Sequence, residues 1–160
     1  MTIQIGDKIP QATLNMLKDG VQAVDTAELF GGKKVVLFAV PGAFTPTCSA
    51  KHLPGYVEHF DEFTKRGIEV ACMSVNDAFV MDAWAKSQDV PAGVHMLADG
   101  NGAFTQAMGL QLDATAFGMG LRAKRFALYA EDGIVKQLHV EAPGEFKVSS
   151  AEYVLEHLPA

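Results

Sequence analysis

The chain has 160 residues, of which 49% are hydrophobic and 20% are charged, and its formal net charge is −6 at pH 7. This length predicts a single domain over residues 1–160, and the composition excludes a disordered chain. The negative charge, which no cluster of lysines and arginines offsets, argues against a nucleic-acid partner.

The sequence contains no segment that is typical of membrane insertion or export. The longest apolar run, from Val35 to Val40, is far too short to span a bilayer, and the opening residues MTIQIGDKIP lack the pattern of a signal peptide. The two cysteines, Cys48 and Cys72, cannot form a disulfide scaffold for a chain of this size. We therefore expect a cytoplasmic protein whose cysteines are free, catalytic or buried.

The first part of the chain predicts a hairpin followed by alternating strands and helices. The predicted strands are continuous apolar runs, which are typical of strands covered on both faces. In chain order we predict a hairpin that turns at Lys18-Asp19-Gly20, a short helical turn over 25–34, a strand at 35–40, a helix over 47–65 that Pro54 and Gly55 bend or restart, a strand at 68–75, and a helix over 76–88 that Asn76 or Asp77 caps. In the last of these helices, Phe79, Met81 and Trp84 are expected to pack in the core.

The remaining residues predict a short strand at 95–99, a weaker helix over 102–110, a hairpin over 125–140, and a final helix that Ser149 and Glu152 begin as a capping box. Strand–helix–strand units imply a parallel core, and tight hairpins imply antiparallel edges. The predicted fold class is α/β, with a mixed central sheet, helices on both faces and an amino-terminal hairpin. A thioredoxin-like and a flavodoxin-like arrangement both fit these elements.

Cys48 occupies a position that favours a reactive thiol. It follows the apolar strand at 35–40 by a short loop and opens a helix. The unpaired N–H groups and the positive dipole end of a helix N-terminus stabilise an anion such as a thiolate. Pro41 and Pro46 stiffen the loop, and the hydroxyl of Thr45 could reach the sulfur or a molecule bound beside it.

The residues around Cys48 resemble the active site of a known family. The string PGAFTPTCSAKHLPGY, which begins at Pro41, is similar to the motif of the peroxiredoxins, and most similar to their type-five subgroup, called type II in plants. Three later segments resemble the same subgroup in the same order: GIEVACMSVNDAFVMDAWAK, LADGNGAFTQAMGL and GLRAKRFALYAEDGIVKQLHVE. The resemblance covers nearly the whole chain, and it implies a thioredoxin-like fold, a homodimer and no metal or organic cofactor.

The resemblance also implies a role for four residues. Cys48 would be the peroxidatic cysteine, which attacks hydrogen peroxide or an alkyl hydroperoxide and becomes a sulfenic acid. Thr45 would orient the peroxide and contact the thiolate, and Pro41 would shield the pocket from water. Arg125 would reach across from a neighbouring strand and stabilise the charge that develops as the O–O bond breaks. For an isolated arginine, an ion pair with Glu131 or Asp132 is the alternative.

Two further residues are placed near the pocket. His52 lies four residues after Cys48 and could share its helix face, so a papain-like hydrolase is an alternative. Because the HLPG segment recurs in the family beside the cysteine without acting as a base, we expect His52 to shape the pocket and to act at most indirectly through charge. Phe44 is expected at the pocket or at a subunit contact.

The second cysteine is expected to be a bystander. Cys72 lies inside an apolar strand, where a thiol behaves as a small hydrophobic residue. Some members of the subgroup carry a resolving cysteine after the last hairpin, but that region here reads EAPGEFKVSSAEYVL. We therefore predict that no internal cysteine resolves the sulfenic acid, and that glutathione or a glutaredoxin does so more readily than thioredoxin.

Two functions from other classes remain open. A thiol–disulfide oxidoreductase of the same fold needs a Cys-x-x-Cys motif, whereas Thr45 and Lys51 occupy the two positions that would complete one with Cys48. A binding or chaperone module with Cys48 as a redox sensor fits the sequence as well. A sensor would not turn over peroxide.

Overall fold

The structure is a computed structural model that describes residues 2–158. Within these residues, nine strands form a seven-stranded sheet in the order β2-β1-β5-β4-β3-β8-β9 and a separate two-stranded sheet of β6 and β7. The strands are β1 Thr13–Leu17, β2 Val21–Asp25, β3 Lys34–Val40, β4 Ile68–Ser74, β5 His95–Ala98, β6 Gln111–Asp113, β7 Leu121–Ala123, β8 Phe126–Glu131 and β9 Ile134–Val140.

Helices cover both faces of the large sheet, as the sequence predicted. They are α1 Thr26–Phe30, α2 Leu53–Glu58, α3 Phe60–Lys65, α4 Ala78–Ser87, α5 Ala103–Ala107 and α6 Ala151–His157, with a π-helical turn at Cys48–His52 and a 3₁₀ turn at Thr115–Phe117. Alternate residues of β3 point to opposite faces. Val36, Phe38 and Val40 pack with α2, α3, α4 and α6. The residues between them pack with α1 and α5.

The sheet order distinguishes the two arrangements that fit the sequence. Strand β3 pairs with β4 in parallel and with β8 antiparallel, and β8 pairs antiparallel with β9. A flavodoxin-like sheet has parallel neighbours at its centre. A parallel strand–helix–strand unit joined to an antiparallel hairpin and a final helix is the thioredoxin-like arrangement, which is therefore confirmed.

The sheet register places Cys48 and Arg125 at one edge. Cys48 lies beyond the carboxyl end of β3, which ends at Val40. Ala39 pairs with Phe126 on the antiparallel strand β8, so Arg125, the residue before Phe126, comes beside the same end of β3. The pairing of β3 and β8 therefore brings these two residues, which are far apart in the sequence, close together in space.

The helix after β3 is distorted next to Pro54, where the sequence predicted a bend. The N–H of Leu53 donates to the carbonyl of Cys48, a spacing of five residues that defines the π-helical turn. A wider turn is a physical response to proline, because the proline ring clashes with the carbonyl four residues earlier and lacks an N–H. The helix is interrupted only at His59, between α2 and α3.

Two details of the predicted elements are wrong. Ser150 rather than Ser149 caps α6, since its hydroxyl accepts a bond from the N–H of Tyr153 at 3.1 Å. The hydroxyl of Ser149 is unavailable because it donates to Glu141. Phe79 is 64% exposed, so it does not belong to the core, whereas Met81 and Trp84 are fully buried.

The remaining turns agree with the sequence. Of the two residues proposed to cap α4, Asp77 does so, accepting a bond from the N–H of Val80. The first hairpin turns at residues 18–20, where Asp19 and Gly20 have positive φ. In residues 2–158, no helix has the length and apolar character needed to cross a membrane.

Candidate active site

One local and one long-range hydrogen bond hold the loop between β3 and the helix. The hydroxyl of Thr45 donates to the carbonyl of Gly42 at 2.6 Å, and the N–H of Ala43 donates to the side chain of Asn76 at 3.0 Å. Phe44 between them has a φ of 65°, an uncommon conformation for a residue with a side chain, and it is 54% exposed. The loop therefore turns Phe44 outward while its neighbours are fixed to the protein.

Cys48 lies in the first turns of the helix and is fully buried. Helical backbone begins at Pro46, and the N–H of Ser49 bonds the carbonyl of Thr45 at 2.9 Å. The sulfur of Cys48 accepts a hydrogen bond from Nη2 of Arg125 at 3.0 Å. The Cys48 thiol thus packs with the hydrophobic core and also contacts the guanidinium of Arg125.

Arg125 has two hydrogen-bond partners in this site, and neither is a carboxylate. Nη2 contacts the sulfur of Cys48, and Nη1 lies 2.8 Å from Nδ1 of His52. The guanidinium carbon lies 5.8 Å from the centre of the Phe146 ring, a cation–π contact. An ion pair of Arg125 with Glu131 or Asp132, the alternative for an isolated arginine, is not formed, and its positive charge faces the sulfur.

His52 is buried and neutral, and its hydrogen bonds define one tautomer. Its Nε2 lies 3.0 Å from the carbonyl of Ser149, which can only accept, so Nε2 carries the proton. Nδ1 then accepts from Arg125. Burial, followed by the charge of Arg125, lowers the pKa of His52 to about 3, and the bond to Ser149 only partly opposes this. Since both ring nitrogens are engaged away from Cys48, His52 is not placed as the base of a hydrolase.

Ser149 and Glu141 complete the site, and the sequence did not predict either of them. The carbonyl of Ser149 also accepts from the hydroxyl of Tyr56 at 2.8 Å. Its N–H and its hydroxyl donate to the Glu141 carboxylate at 2.8 and 2.7 Å. Burial opposes ionisation of Glu141, but these bonds and those from the N–H groups of Lys147 and Val148 outweigh it and lower the pKa of Glu141.

A pocket of about 180 Å³ opens beside Arg125. Its walls come from the end of β3, the start of the helix, the residues before β8, and the segment after β9. They include Pro41, Thr47, Lys124, Glu141 and residues 142–145. Pro41, predicted to shield the site, therefore lines the pocket. Phe44 is not among the lining residues, and its exposed ring is free to contact another molecule.

Cys72 lies below the site in the core. It is fully buried on β4, opposite Phe38 in the register of β3 and β4. Burial, followed by proximity to Cys48, raises the pKa of the Cys72 thiol well above its ordinary value. Both cysteines are unpaired. A thiol that stays protonated is a poor nucleophile, which agrees with the expectation that Cys72 is a bystander.

The structure brings together Cys48, Arg125 and His52, while Thr45 contacts Gly42 rather than the sulfur. The expected contact of the Thr45 hydroxyl with the thiolate stays a prediction, since the hydroxyl here donates to Gly42. Among residues 2–158, no group of three or more histidine, cysteine, aspartate or glutamate side chains is arranged to hold a metal ion.

The fold and the site define a thioredoxin-like protein with a cysteine beside an arginine. A family model described as Redoxin matches residues 4–155. The chain is 49% identical to Peroxiredoxin-2E, chloroplastic, of Arabidopsis thaliana, over 98% of this chain and 70% of that one. It is 46% identical to Peroxiredoxin-2B of the same plant, over 98% of each. The crystal structure of reduced Prx3 in complex with H₂O₂ from Vibrio vulnificus matches with a TM-score of 0.93 and 50% identity, over 97% of this chain and 98% of that one. The chain belongs to the peroxiredoxin family.

Proposed function

We propose that this protein is a thiol peroxidase in which Cys48 reduces hydrogen peroxide and alkyl hydroperoxides. The observation that carries the proposal is the contact of 3.0 Å between Nη2 of Arg125 and the sulfur of Cys48. Membership of the peroxiredoxin family supports it, and so does the similar protein from Vibrio vulnificus whose crystal contains H₂O₂.

The reaction needs a thiolate and a fixed positive charge. The Cys48 thiolate attacks one peroxide oxygen and the O–O bond breaks. The second oxygen leaves with the bonding electron pair and takes up a proton, giving a sulfenic acid on Cys48 and water or an alcohol. Arg125 stabilises the negative charge that develops on the leaving oxygen. Because its other partner is the neutral ring of His52, this charge is not neutralised in the resting site.

Thr45 and Pro41 form the side of the site that receives the peroxide. The Thr45 hydroxyl already donates its proton to Gly42, so its oxygen can accept a hydrogen bond from the peroxide without moving. Pro41 lines the pocket and has no N–H, so it narrows the entrance without offering a donor to water. In this role Thr45 orients the peroxide, and the sulfur is contacted by Arg125.

We propose that a small thiol, or a protein thiol, closes the cycle. Cys72 is fully buried, and burial raises the pKa of its thiol, so it does not attack the sulfenic acid. Glutathione or a glutaredoxin is the proposed reductant, with thioredoxin as the alternative. The relatives named Peroxiredoxin-2E and Peroxiredoxin-2B support placing the chain in the type-five subgroup, called type II in plants.

Intact-protein mass after one equivalent of hydrogen peroxide tests this cycle. We expect the gain of one oxygen on Cys48, followed by a glutathione adduct when glutathione is added, and then release by glutaredoxin. A prompt loss of two hydrogens within a monomer would show an internal disulfide and would overturn the role given to Cys72. No reaction at Cys48 would overturn the peroxidase itself and would favour a different use of the fold.

We also propose that the protein forms a homodimer and that it works in the cytoplasm. The exposed ring of Phe44 projects from a loop whose neighbours are fixed, which suits a contact between two copies. Sedimentation of the wild type and of Phe44→Ala checks this. If the dimer uses Phe44, the variant dimer dissociates at a higher protein concentration than the wild-type dimer. The two unpaired cysteines are consistent with a reducing compartment.

A further inference from the structure

We infer that Glu141 is a positioning residue for Cys48, because its buried carboxylate holds the segment 146–149, here called the strap, against His52 and Arg125. The inference rests on the proposed peroxidase function. Among the described residues, the Glu141 carboxylate bonds neither the Cys48 sulfur nor the Arg125 guanidinium, so its effect passes through other groups.

The first link is between Glu141 and the strap. Glu141 is 7% exposed, and its carboxylate accepts bonds from three successive N–H groups, those of Lys147, Val148 and Ser149, each at 2.8 Å, and from the Ser149 hydroxyl at 2.7 Å. Three consecutive N–H groups that converge on one oxygen fix the backbone of the strap. A neutral amide at position 141 offers one acceptor oxygen and places two N–H donors among these donors.

The second link is between the strap and His52. The Ser149 carbonyl accepts from Nε2 of His52 at 3.0 Å and from Tyr56 at 2.8 Å. This carbonyl can only accept, so it keeps the proton on Nε2 and leaves Nδ1 free to accept from Arg125. If the strap moves, the Ser149 carbonyl no longer accepts from Nε2, and nothing then favours this tautomer of His52.

The third link is between the strap and Arg125. The ring of Phe146 lies against the guanidinium and 5.0 Å from the His52 ring. The N–H of Glu141 donates to the Arg125 carbonyl at 2.9 Å, so the two residues are also held in register through the backbone. Among the described residues, the Glu141 carboxylate forms no ion pair with Arg125. It bonds the strap, and the positive charge of Arg125 faces the Cys48 sulfur.

The sign of the effect separates positioning from simple electrostatics. Removing a negative charge near Cys48 makes an anion there easier to form, so charge alone predicts that Glu141→Gln speeds the attack on peroxide. Positioning predicts the opposite, because a misplaced Arg125 no longer faces the reacting atoms. The two explanations therefore give rate changes in opposite directions.

The test measures the rate constant of the reduced protein with hydrogen peroxide in single turnover. We expect Glu141→Gln to slow it by about tenfold or more. The matched control is Glu156→Gln, since Glu156 is an exposed residue of α6 that does not line the pocket. The control is expected to stay within about twofold of wild type. An unchanged or faster Glu141→Gln, or an equal slowing in both variants, overturns the inference.

A second readout follows the positioning itself and does not depend on peroxide. Nitrogen-15 NMR of the reduced protein is expected to show a single neutral Nε2-protonated His52 in the wild type and in Glu156→Gln. In Glu141→Gln it is expected to show a mixture of tautomers, or protonation near neutral pH. A slower Glu141→Gln with an unaltered His52 overturns the inference. If the wild type does not react with peroxide, the peroxidase proposal fails, but the His52 spectra still decide whether Glu141 positions this site.

Ser149→Ala decides the question if Glu141→Gln does not fold. It removes one bond to the carboxylate and leaves the backbone N–H and carbonyl of the strap in place. We expect the same direction of change with a smaller size, about threefold in rate. A folded Ser149→Ala with the wild-type rate and wild-type His52 spectrum overturns the inference.

Discussion

Replacing Arg125 by methionine removes both hydrogen bonds that connect the guanidinium to the site. Nη2 lies 3.0 Å from the Cys48 sulfur, and Nη1 lies 2.8 Å from Nδ1 of His52. The loss of one fixed donor to developing negative charge costs about 10²–10³ in rate in other enzymes. Leaving the buried His52 nitrogen without a donor costs about 1–3 kcal/mol of stability in addition. We therefore expect Arg125→Met to fold, to be less stable, and to react with peroxide at least about a hundredfold more slowly.

The assay pairs two measurements on the same samples. Stopped-flow kinetics gives the rate constant with hydrogen peroxide, and ultraviolet absorbance against pH gives the fraction of Cys48 present as thiolate. The rate per thiolate is expected to fall, because Arg125 also stabilises the leaving oxygen. Arg122→Met is the matched control, since Arg122 is a half-buried arginine that bonds the carbonyls of Met119 and Pro41 and not the sulfur. Equal losses in the two variants, or an unchanged rate per thiolate in Arg125→Met, would refute the assigned role.

Three further predictions concern the thiols, His59 and the single tryptophan. Cys48→Ser is expected to abolish peroxide consumption, whereas Cys72→Ser keeps it and loses about 1–3 kcal/mol, measured by urea unfolding, through a buried hydroxyl. The hydrogen bond to Glu62 and, after it, the bond to Glu152 raise the pKa of His59 against the opposing effect of burial. The stabilisation by protonated His59 is therefore present below its unfolded pKa and lost as pH rises through its folded pKa. His59→Gln should cost under about 1 kcal/mol of unfolding free energy in acid and nothing in alkali. Trp84 donates to the hydroxyl of the residue that follows Cys48, so oxidation of Cys48 should change its fluorescence in wild type and not in Cys48→Ser.

Most of the fold could be predicted because its elements carry local signals. The apolar run that became β3 is buried on both faces, and the turn at residues 18–20 has the positive φ values that its aspartate and glycine accept. One error arose where two residues competed for one role. Ser149 and Ser150 are both good caps in sequence, and only the contact of Ser149 with Glu141, eight residues away, leaves the cap to Ser150.

Only part of the site could be predicted, again because only some of its contacts leave a local signal in the sequence. The proximity of Cys48 and Arg125 is hidden in the sequence, since 77 residues separate them, and it was available only through the family resemblance. The bonds of Glu141 and Ser149 had no signal, because a glutamate that accepts backbone N–H groups leaves no spacing pattern. Thr45 shows the converse, since its local bond to Gly42 is visible in the structure and competes with the contact that the resemblance implied.

A neutral histidine bonds Arg125, and this leaves the positive charge of the site uncompensated. A carboxylate in the place of His52 would satisfy the guanidinium and also cancel its charge, leaving little field at the sulfur. A buried imidazole offers one acceptor nitrogen and no charge, provided that its other nitrogen stays protonated and that it does not itself become a cation. The Ser149 carbonyl secures the first condition, and burial, together with Arg125, secures the second by lowering the pKa of His52 to about 3. The guanidinium of Arg125 is therefore left to pair with the reacting groups. It faces first the negative charge of the Cys48 thiolate and afterwards the charge on the leaving oxygen of the peroxide.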